Sequence, residues 1–356
     1  MHNYRVISAS VAPAEILAVL KANAYGLGLR RAAETLVEAG ARYVAVACPQ
    51  EGLLISDLPV NVIILGGSLP EEIPTIVERG LVASVPDLVT AQLLSQAACD
   101  QGRTARVHMN VDTGMGRLGF VPGEVPEAVR CIRALPALEL EGIYSHFPAA
   151  GVRGAETMAQ LAAFTALVQA LDSAGLEIRW RHIANSAAVA GMNGAVQAPF
   201  TMVRPGLDLH GAHLSITPRP YRTRPVLSLK SRLIAVRHLP LGATVGYGRT
   251  YTVIDEEGER IGTIPVGYAD GYPRCLSNVG TVLVRGRRCR VVGLVCMDYT
   301  MVSLRGVPDA GPGDEVVFIG SQEDEAISIA EVAREAKTIP YELMCGLGQR
   351  VERVYI

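Results

Sequence analysis

From residue 16 to about residue 208, short runs of consecutive apolar residues alternate with longer segments whose apolar positions recur every three to four residues. Unbroken apolar runs suit strands buried on both faces, and the longer period suits helices with one buried stripe. Eight runs read as strands: Ile16–Leu20, Tyr43–Ala47, Asn61–Leu65, Leu81–Ser84, Ala105–Val111, Leu140–Tyr144, Ile178–Ile183 and Thr201–Arg204. Intervening segments such as Arg30–Ala39, Pro86–Gln101 and Glu156–Ser173 have the Ala, Leu and Glu content of amphipathic helices. Parallel strands require crossover connections, so the alternation predicts a parallel sheet with its helices outside. Eight strand–helix units in roughly 200 residues fit a closed (β/α)8 TIM barrel better than an open doubly wound sheet.

After about residue 220 the pattern changes to β-branched runs separated by Gly, Asp and Pro turns, in Val226–Val236, Thr250–Ile254, Arg260–Val266, Gly280–Val284, Arg290–Cys296 and Glu315–Ile319. The expected fold class is therefore α/β plus β, with a barrel over residues 1–220 and a mainly β domain over residues 221–356. The proline-rich, polar stretch Thr217-Pro218-Arg219-Pro220-Tyr221-Arg222 is the natural boundary. No solenoid repeat or low-complexity tract interrupts this reading.

Composition narrows the partners. The 356 residues are 49% hydrophobic, enough for more than one core, and a net charge of −2 without a long Lys/Arg run argues against nucleic acid or anionic membrane. A small-molecule ligand is expected. Seven cysteines, odd in number and without C-x-x-C spacing, argue against a disulfide framework and against a structural metal. With neither a membrane-length apolar run nor a signal-peptide pattern, the chain is expected in the cytoplasm.

The unusual polar residues collect at one place on this scheme. Lys21 ends the first strand and is followed by Ala22-Asn23-Ala24-Tyr25-Gly26, a position suited to a Schiff-base lysine. The ordinary alternative for a strand-end lysine is a solvated charge. Arg117 follows strand five in Asp112-Thr113-Gly114-Met115-Gly116-Arg117, His146 follows strand six, Asn185-Ser186 follow strand seven, and Arg204-Pro205-Gly206 close strand eight. All lie at carboxyl ends of barrel strands, the face on which barrel active sites are built. The loops after strands seven and eight commonly bind phosphate, and they offer the Ser186 hydroxyl and the bare backbone of Gly206. A lysine beside a phosphate site suggests pyridoxal phosphate as cofactor.

These residues carry a family resemblance. The chain resembles bacterial alanine racemase, a fold-type III pyridoxal-phosphate enzyme, through KANAYG at 21–26, VDTGMGRLGF at 111–120, ANSAA at 184–188, VRPG at 203–206, GYGRTYT at 246–252, GYADGYPR at 267–274, CMD at 296–298 and Tyr341-Glu342. The resemblance implies that Lys21 holds the cofactor and, once displaced from it, acts as a base on one face of the substrate Cα. Interconversion of mirror images requires proton handling on both faces. The second base implied is Tyr251, reaching the barrel of the other subunit of a homodimer, with its pKa lowered by His146 and by Arg204 behind it. Arg204, a donor with no acceptor, implies an unprotonated ring nitrogen and a weaker electron sink, which disfavours transamination. The resemblance further implies that Tyr25, Ser186, Gly206, Leu207 and Tyr341 hold the cofactor phosphate. It assigns Arg117 and the Met297 N–H to the substrate carboxylate, and Tyr268 to the narrowing of the entrance. Ser186 as a helix cap, Met297 as core and GYADG as a plain turn are the structural alternatives.

Three departures from the family pattern stand out. The chain starts at Met1-His2-Asn3, where relatives usually have a preceding strand. Asn110 stands where several relatives have a carbamylated lysine, and a direct hydrogen bond to Arg117 is the expected substitute. Leu27 replaces a common histidine. The expected activity is racemisation of L- and D-alanine, supplying D-alanine for peptidoglycan. A broad-specificity, serine or lysine racemase of the same fold is the alternative. A decarboxylase of this fold type would place a carboxylate where Arg204 stands, and a non-catalytic cofactor carrier would not need Tyr251.

Overall fold

A computed structural model describes residues 1–151, 154–212 and 218–356. The chain divides into two compact units, one of Met1–Gly211 with residues 218–224, the other carried by Pro225–Ile356. Eight strands build the first: β1 (Glu15–Val19), β2 (Tyr43–Val46), β3 (Asn61–Ile64), β4 (Ala83–Val85), β5 (Ala105–Asn110), β6 (Leu138–Tyr144), β7 (Trp180–His182) and β8 (Met202–Val203). All pairings are parallel, in the orders β3-β2-β1-β8 and β4-β5-β6-β7. Parallel bridges Ile63–Val82 and Asn185–Arg204 join the two sets into a closed ring. The barrel expected from the alternation is present, and each of the eight apolar runs overlaps an observed strand.

The unbroken apolar runs reflect burial on two sides, against the barrel interior and the outer helices: Ile16, Leu17, Ala18, Val44, Ala45, Ile63, Ile64 and Val107 are all essentially inaccessible. The helices Leu29–Glu38, Leu88–Asp100 and Ala155–Ser173 cover this surface. Asp87 starts the second of them, its side chain accepting the Thr90 N–H at 2.7 Å, a cap that contributes about 1 kcal/mol. Polar residues break the apolar pattern on neighbouring strands in register. Ser84 lies opposite His108, and Tyr144 opposite His182. His108 fits beside β6 because its partner there is Gly142, where a Cβ would run into the imidazole.

Of the stretch expected to mark the domain boundary, Thr217 lies outside the described residues. The part from Pro218 to Arg224 is fastened to the barrel. Arg219 pairs with the fully buried Asp208 at 2.9 and 3.0 Å, Tyr221 donates to the same carboxylate at 2.6 Å, and Asn3 bonds both the N–H and the carbonyl of Arg224.

The second unit is antiparallel, with one sheet of Ala235–Leu239, Glu259–Ile264 and Thr300–Ser303, and another around Thr281–Val284 and Glu315–Gln322. The run Val226–Val236, read as one strand, splits at the buried Leu233 into Leu229–Arg232 and Ala235–Leu239, which pair in different sheets. The strand expected over Arg290–Cys296 instead lies at Arg287–Arg290, followed by a bridge from Val291 to Val302. Apolar content alone could not separate a strand from the buried turn after it.

Candidate active site

Lys21 leaves β1 after a single intervening residue and is exposed at the carboxyl end of the barrel. The turn that follows ends on Gly26, and its left-handed backbone begins already at Ala22. Ala22, Asn23, Ala24 and Tyr25 have φ of 55, 55, 53 and 56°. For residues with a Cβ this conformation costs about 1–2 kcal/mol each. It turns the chain so that Tyr25, 5% exposed, packs edge-on against His210 at 5.1 Å between ring centroids.

The loops after β7 and β8 meet beside Tyr25. Asn185, not Ser186, caps the short helix Ser186–Gly191, its Oδ1 accepting the Ala188 N–H at 3.1 Å. Ser186 is thereby left to bond across to the next loop, where its Oγ accepts the Gly206 N–H at 2.9 Å and the Asp208 N–H at 3.4 Å. A Cβ on Gly206 would collide with the Tyr25 hydroxyl, so only glycine lets these groups converge. Leu207, also buried, begins the turn that follows. Four of the five residues expected at a phosphate, Tyr25, Ser186, Gly206 and Leu207, are thus in one cradle. Tyr341 belongs to the second unit, on the helix Pro340–Cys345.

Arg204 is 4% exposed and gathered in by acceptors. Its Nη1 donates to His182 Nδ1 at 2.8 Å, and its Nη2 donates to the Ser145 carbonyl at 2.7 Å, the Ile183 carbonyl at 3.3 Å and His146 Nδ1 at 3.1 Å. Its guanidinium also lies 5.3 Å from the centre of the Tyr144 ring, which stacks on His182. Because arginine only donates, both imidazoles must accept through Nδ1, and each carries its proton on Nε2. His182 Nε2 then donates to His108 Nδ1 at 2.8 Å, and His108 Nε2 donates to Glu141 at 3.3 Å. A directed chain runs through the barrel interior from the Arg204 guanidinium to a carboxylate.

The charge states follow. Burial lowers Arg204 to about 10, still far above neutrality, so it remains a cation. Burial first, then the positive charges of Arg204, Arg117 and Lys21, pushes His146 down to about 3. The imidazole is neutral, and Arg204 holds its Nδ1. His182 is held well below its ordinary value by burial and by Arg204.

Arg117 sits on a loop preformed by Asp112, whose carboxylate accepts the N–H groups of Gly114 at 2.8 Å, Met115 at 2.7 Å and Gly116 at 2.9 Å. Burial raises the Asp112 pKa, but these backbone donors outweigh it and hold the group below its usual range. Thr113 ties the loop to Ser145 at 2.7 Å. Asn110 is buried next to it, and no bond from its side chain to Arg117 is found among the described residues.

In the second unit Tyr251 lies on a short strand paired with Thr244–Val245, and its hydroxyl donates to Glu259 at 2.6 Å. Burial and that carboxylate push the phenol up to about 12. The lowering expected of a base is therefore not supplied by its own unit. Tyr268 and Met297 are brought side by side, the N–H groups of Tyr268 and Ala269 donating to the Cys296 and Met297 carbonyls at 3.0 and 3.1 Å. Asp270 secures the turn, accepting the Gly267 N–H at 2.8 Å and pairing with Arg350 at 2.7 Å. Tyr268 and Met297 are 43% and 53% exposed, so neither side chain serves as core.

Comparison with known proteins decides the family. Residues 1–213 match the alanine racemase N-terminal domain and residues 226–355 the alanine racemase C-terminal domain. The alanine racemase of Symbiobacterium thermophilum is 40% identical, covering 99% of this chain and 93% of its own. That of Halothermothrix orenii is 39% identical, covering 96% and 90%. The chain belongs to the alanine racemase family. Among solved structures, the alanine racemase from D-cycloserine-producing Streptomyces lavendulae superposes with a TM-score of 0.91 at 33% identity, over 99% of this chain and 94% of that one. The Bacillus anthracis alanine racemase with bound L-Ala-P gives 0.88 at 32% identity, over 98% and 91%.

Membership makes the chain an enzyme of the racemase class with the barrel-plus-β architecture of alanine racemases. Sequence reading of this racemase missed His108, His182 and Glu141. The available signal was a pair of histidines inside apolar strand runs, with Gly142 opposite one of them.

Proposed function

We propose that this chain interconverts L- and D-alanine with pyridoxal phosphate as cofactor. The observation that carries the reading is the carboxyl end of the barrel, where Arg204 donates to His146 Nδ1 at 3.1 Å and Lys21 follows β1. Close by in the same unit, Ser186, Gly206 and Tyr25 form their cradle. The residues present fit the cofactor. Lys21 supplies the amine, the Ser186 and Tyr25 hydroxyls beside the backbone of Gly206 and Leu207 supply donors for phosphate, and Arg204 supplies only donors toward a ring nitrogen. Tyr341 adds to the phosphate site in this proposal.

When bound, pyridoxal phosphate withdraws electrons from the substrate Cα and makes its proton removable. The chain does the rest. Lys21 Nζ exchanges the proton on one face and the Tyr251 hydroxyl on the other, with Tyr251 supplied by a second copy of the chain. His146 contributes a donor, not a charge. Its Nδ1 is taken by Arg204, so its Nε2–H is the group that stabilises a phenolate and offsets the upward push from Glu259. Arg117 and the Met297 N–H orient the substrate carboxylate, and Tyr268 with Tyr341 keeps the side-chain space small. No helix among the described residues is long and apolar enough to cross a membrane. We place the enzyme in the cytoplasm, as a homodimer supplying D-alanine for peptidoglycan.

The test incubates the cofactor-loaded protein separately with L-alanine, L-serine and L-lysine and resolves the products by chiral chromatography. D-alanine well above the other products is expected. Comparable products from all three would replace the proposal with a broad-specificity racemase, and no product with cofactor bound would refute it.

A further inference from the structure

The left-handed turn Ala22–Tyr25 directly follows Lys21 and carries the hydroxyl of Tyr25, and the backbone bonds across it do not select its hand. The Ala24 N–H donates to the Leu20 carbonyl at 2.7 Å and the Gly26 N–H to the Ala22 carbonyl at 2.8 Å. A right-handed turn of the same residues makes equivalent bonds at lower steric cost. A tie to the left-handed form comes from elsewhere in the fold. Glu51, on the short helix Pro49–Leu53 after β2, accepts the Asn23 N–H through Oε1 at 2.9 Å and the Ala47 N–H through Oε2 at 2.9 Å. One carboxylate thus fastens the middle of the turn to the exit of β2. The Asn23 side chain adds a second tie, its Oδ1 accepting the Leu29 N–H at 2.8 Å.

We propose that Glu51 is a positioning residue whose carboxylate holds the strained turn open to the left and so aims Lys21 and Tyr25 into the active site. The proposal deepens the functional reading above and rests on its assignment of Lys21 and Tyr25. A carboxylate suits the task because both oxygens accept. Glutamine would turn an NH2 donor toward one of the two N–H groups, and alanine would release both.

The experiment combines amide hydrogen exchange on the unliganded chain with titration by pyridoxal phosphate, followed by absorbance. Glu51→Ala should speed exchange at Asn23 and Ala47 by roughly ten-fold or more while β5 to β7 stay protected, and should weaken cofactor binding by a similar factor. Glu51→Gln should fall between and carries the comparison if the alanine variant does not fold. Rescue separates positioning from plain stabilisation. Ala22 is exposed, and Ala22→Gly, which enters the left-handed region without steric cost, should recover much of the cofactor affinity when added to Glu51→Ala. Unchanged exchange at Asn23, or loss of affinity that Ala22→Gly does not recover, would overturn the proposal. A wild-type chain that binds no pyridoxal phosphate would sink the functional reading instead, and the exchange data would still judge the Glu51 tie.

Discussion

The barrel should lose stability as pH falls from 7.5 to 5.5, because it folds around histidines that cannot take up a proton. Burial and nearby cations hold native His146 at about 3, and burial alone holds His210 at about 4. In the unfolded chain each returns to an ordinary value near 6.5 and is about 90% protonated at pH 5.5. The unfolded state binds more protons throughout the window from about pH 4 to 6.5, so stability rises with pH there and is lost on acidification. Each of the two costs about 1.4 kcal/mol at pH 5.5, or about 3 kcal/mol together. His108 and His182, both lowered chiefly by burial, add in the same direction. Carboxylates held low in the native state, such as Asp112, matter only at more acid pH. The chain has one tryptophan, Trp180, 7% exposed on β7, so its fluorescence follows unfolding of the barrel. With an m-value of about 2–3 kcal/mol/M, the urea midpoint should drop by about 1 M or more between the two pH values. His210→Phe keeps a ring against Tyr25 and should reduce the loss by about 1.4 kcal/mol. Equal midpoints at the two pH values, or a pH dependence untouched by His210→Phe, would refute the reasoning.

Four substitutions probe the remaining assignments. Lys21→Ala should abolish both the bound-cofactor absorbance and racemisation; retention of either removes Lys21 from its role. Tyr251→Phe should suppress solvent-proton exchange into one alanine enantiomer far more than the other, as read by NMR in deuterated water, and equal losses would contradict a two-base mechanism. Glu259→Gln removes the carboxylate that helps push Tyr251 to about 12, so the phenol should titrate lower by ultraviolet difference absorbance, and an unmoved midpoint would disprove that cause. Asp208→Asn breaks the buried pair with Arg219 and should destabilise the barrel by about 3–5 kcal/mol in the same fluorescence assay, whereas a loss under 1 kcal/mol would show that the pair is well replaced by an amide.

The limits of sequence reading fall where the physics changes from local to long-range. The barrel strands were legible because burial on two faces leaves unbroken apolar runs, a signal contained within each segment. Residues at strand ends were legible for a related reason, since topology alone sends every carboxyl end to one face, and Lys21, His146, Ser186 and Arg204 needed only that argument. In the second unit the antiparallel strands have shifted boundaries, because corners such as Leu233 are as buried as the strands they interrupt. The chain from Arg204 through His182 and His108 to Glu141 was not legible, because the hydrogen bonds join residues 22, 74 and 33 positions apart and exist only once β5 to β8 are side by side. Glu51 is a harder case, since it acts on backbone N–H groups and asks for no particular side chain at its partners. Only the positive φ angles of Ala22 to Tyr25 expose the need for it. A backbone held against its own preference points to whatever holds it, and here one carboxylate between two strand exits accepts the N–H at the middle of the turn.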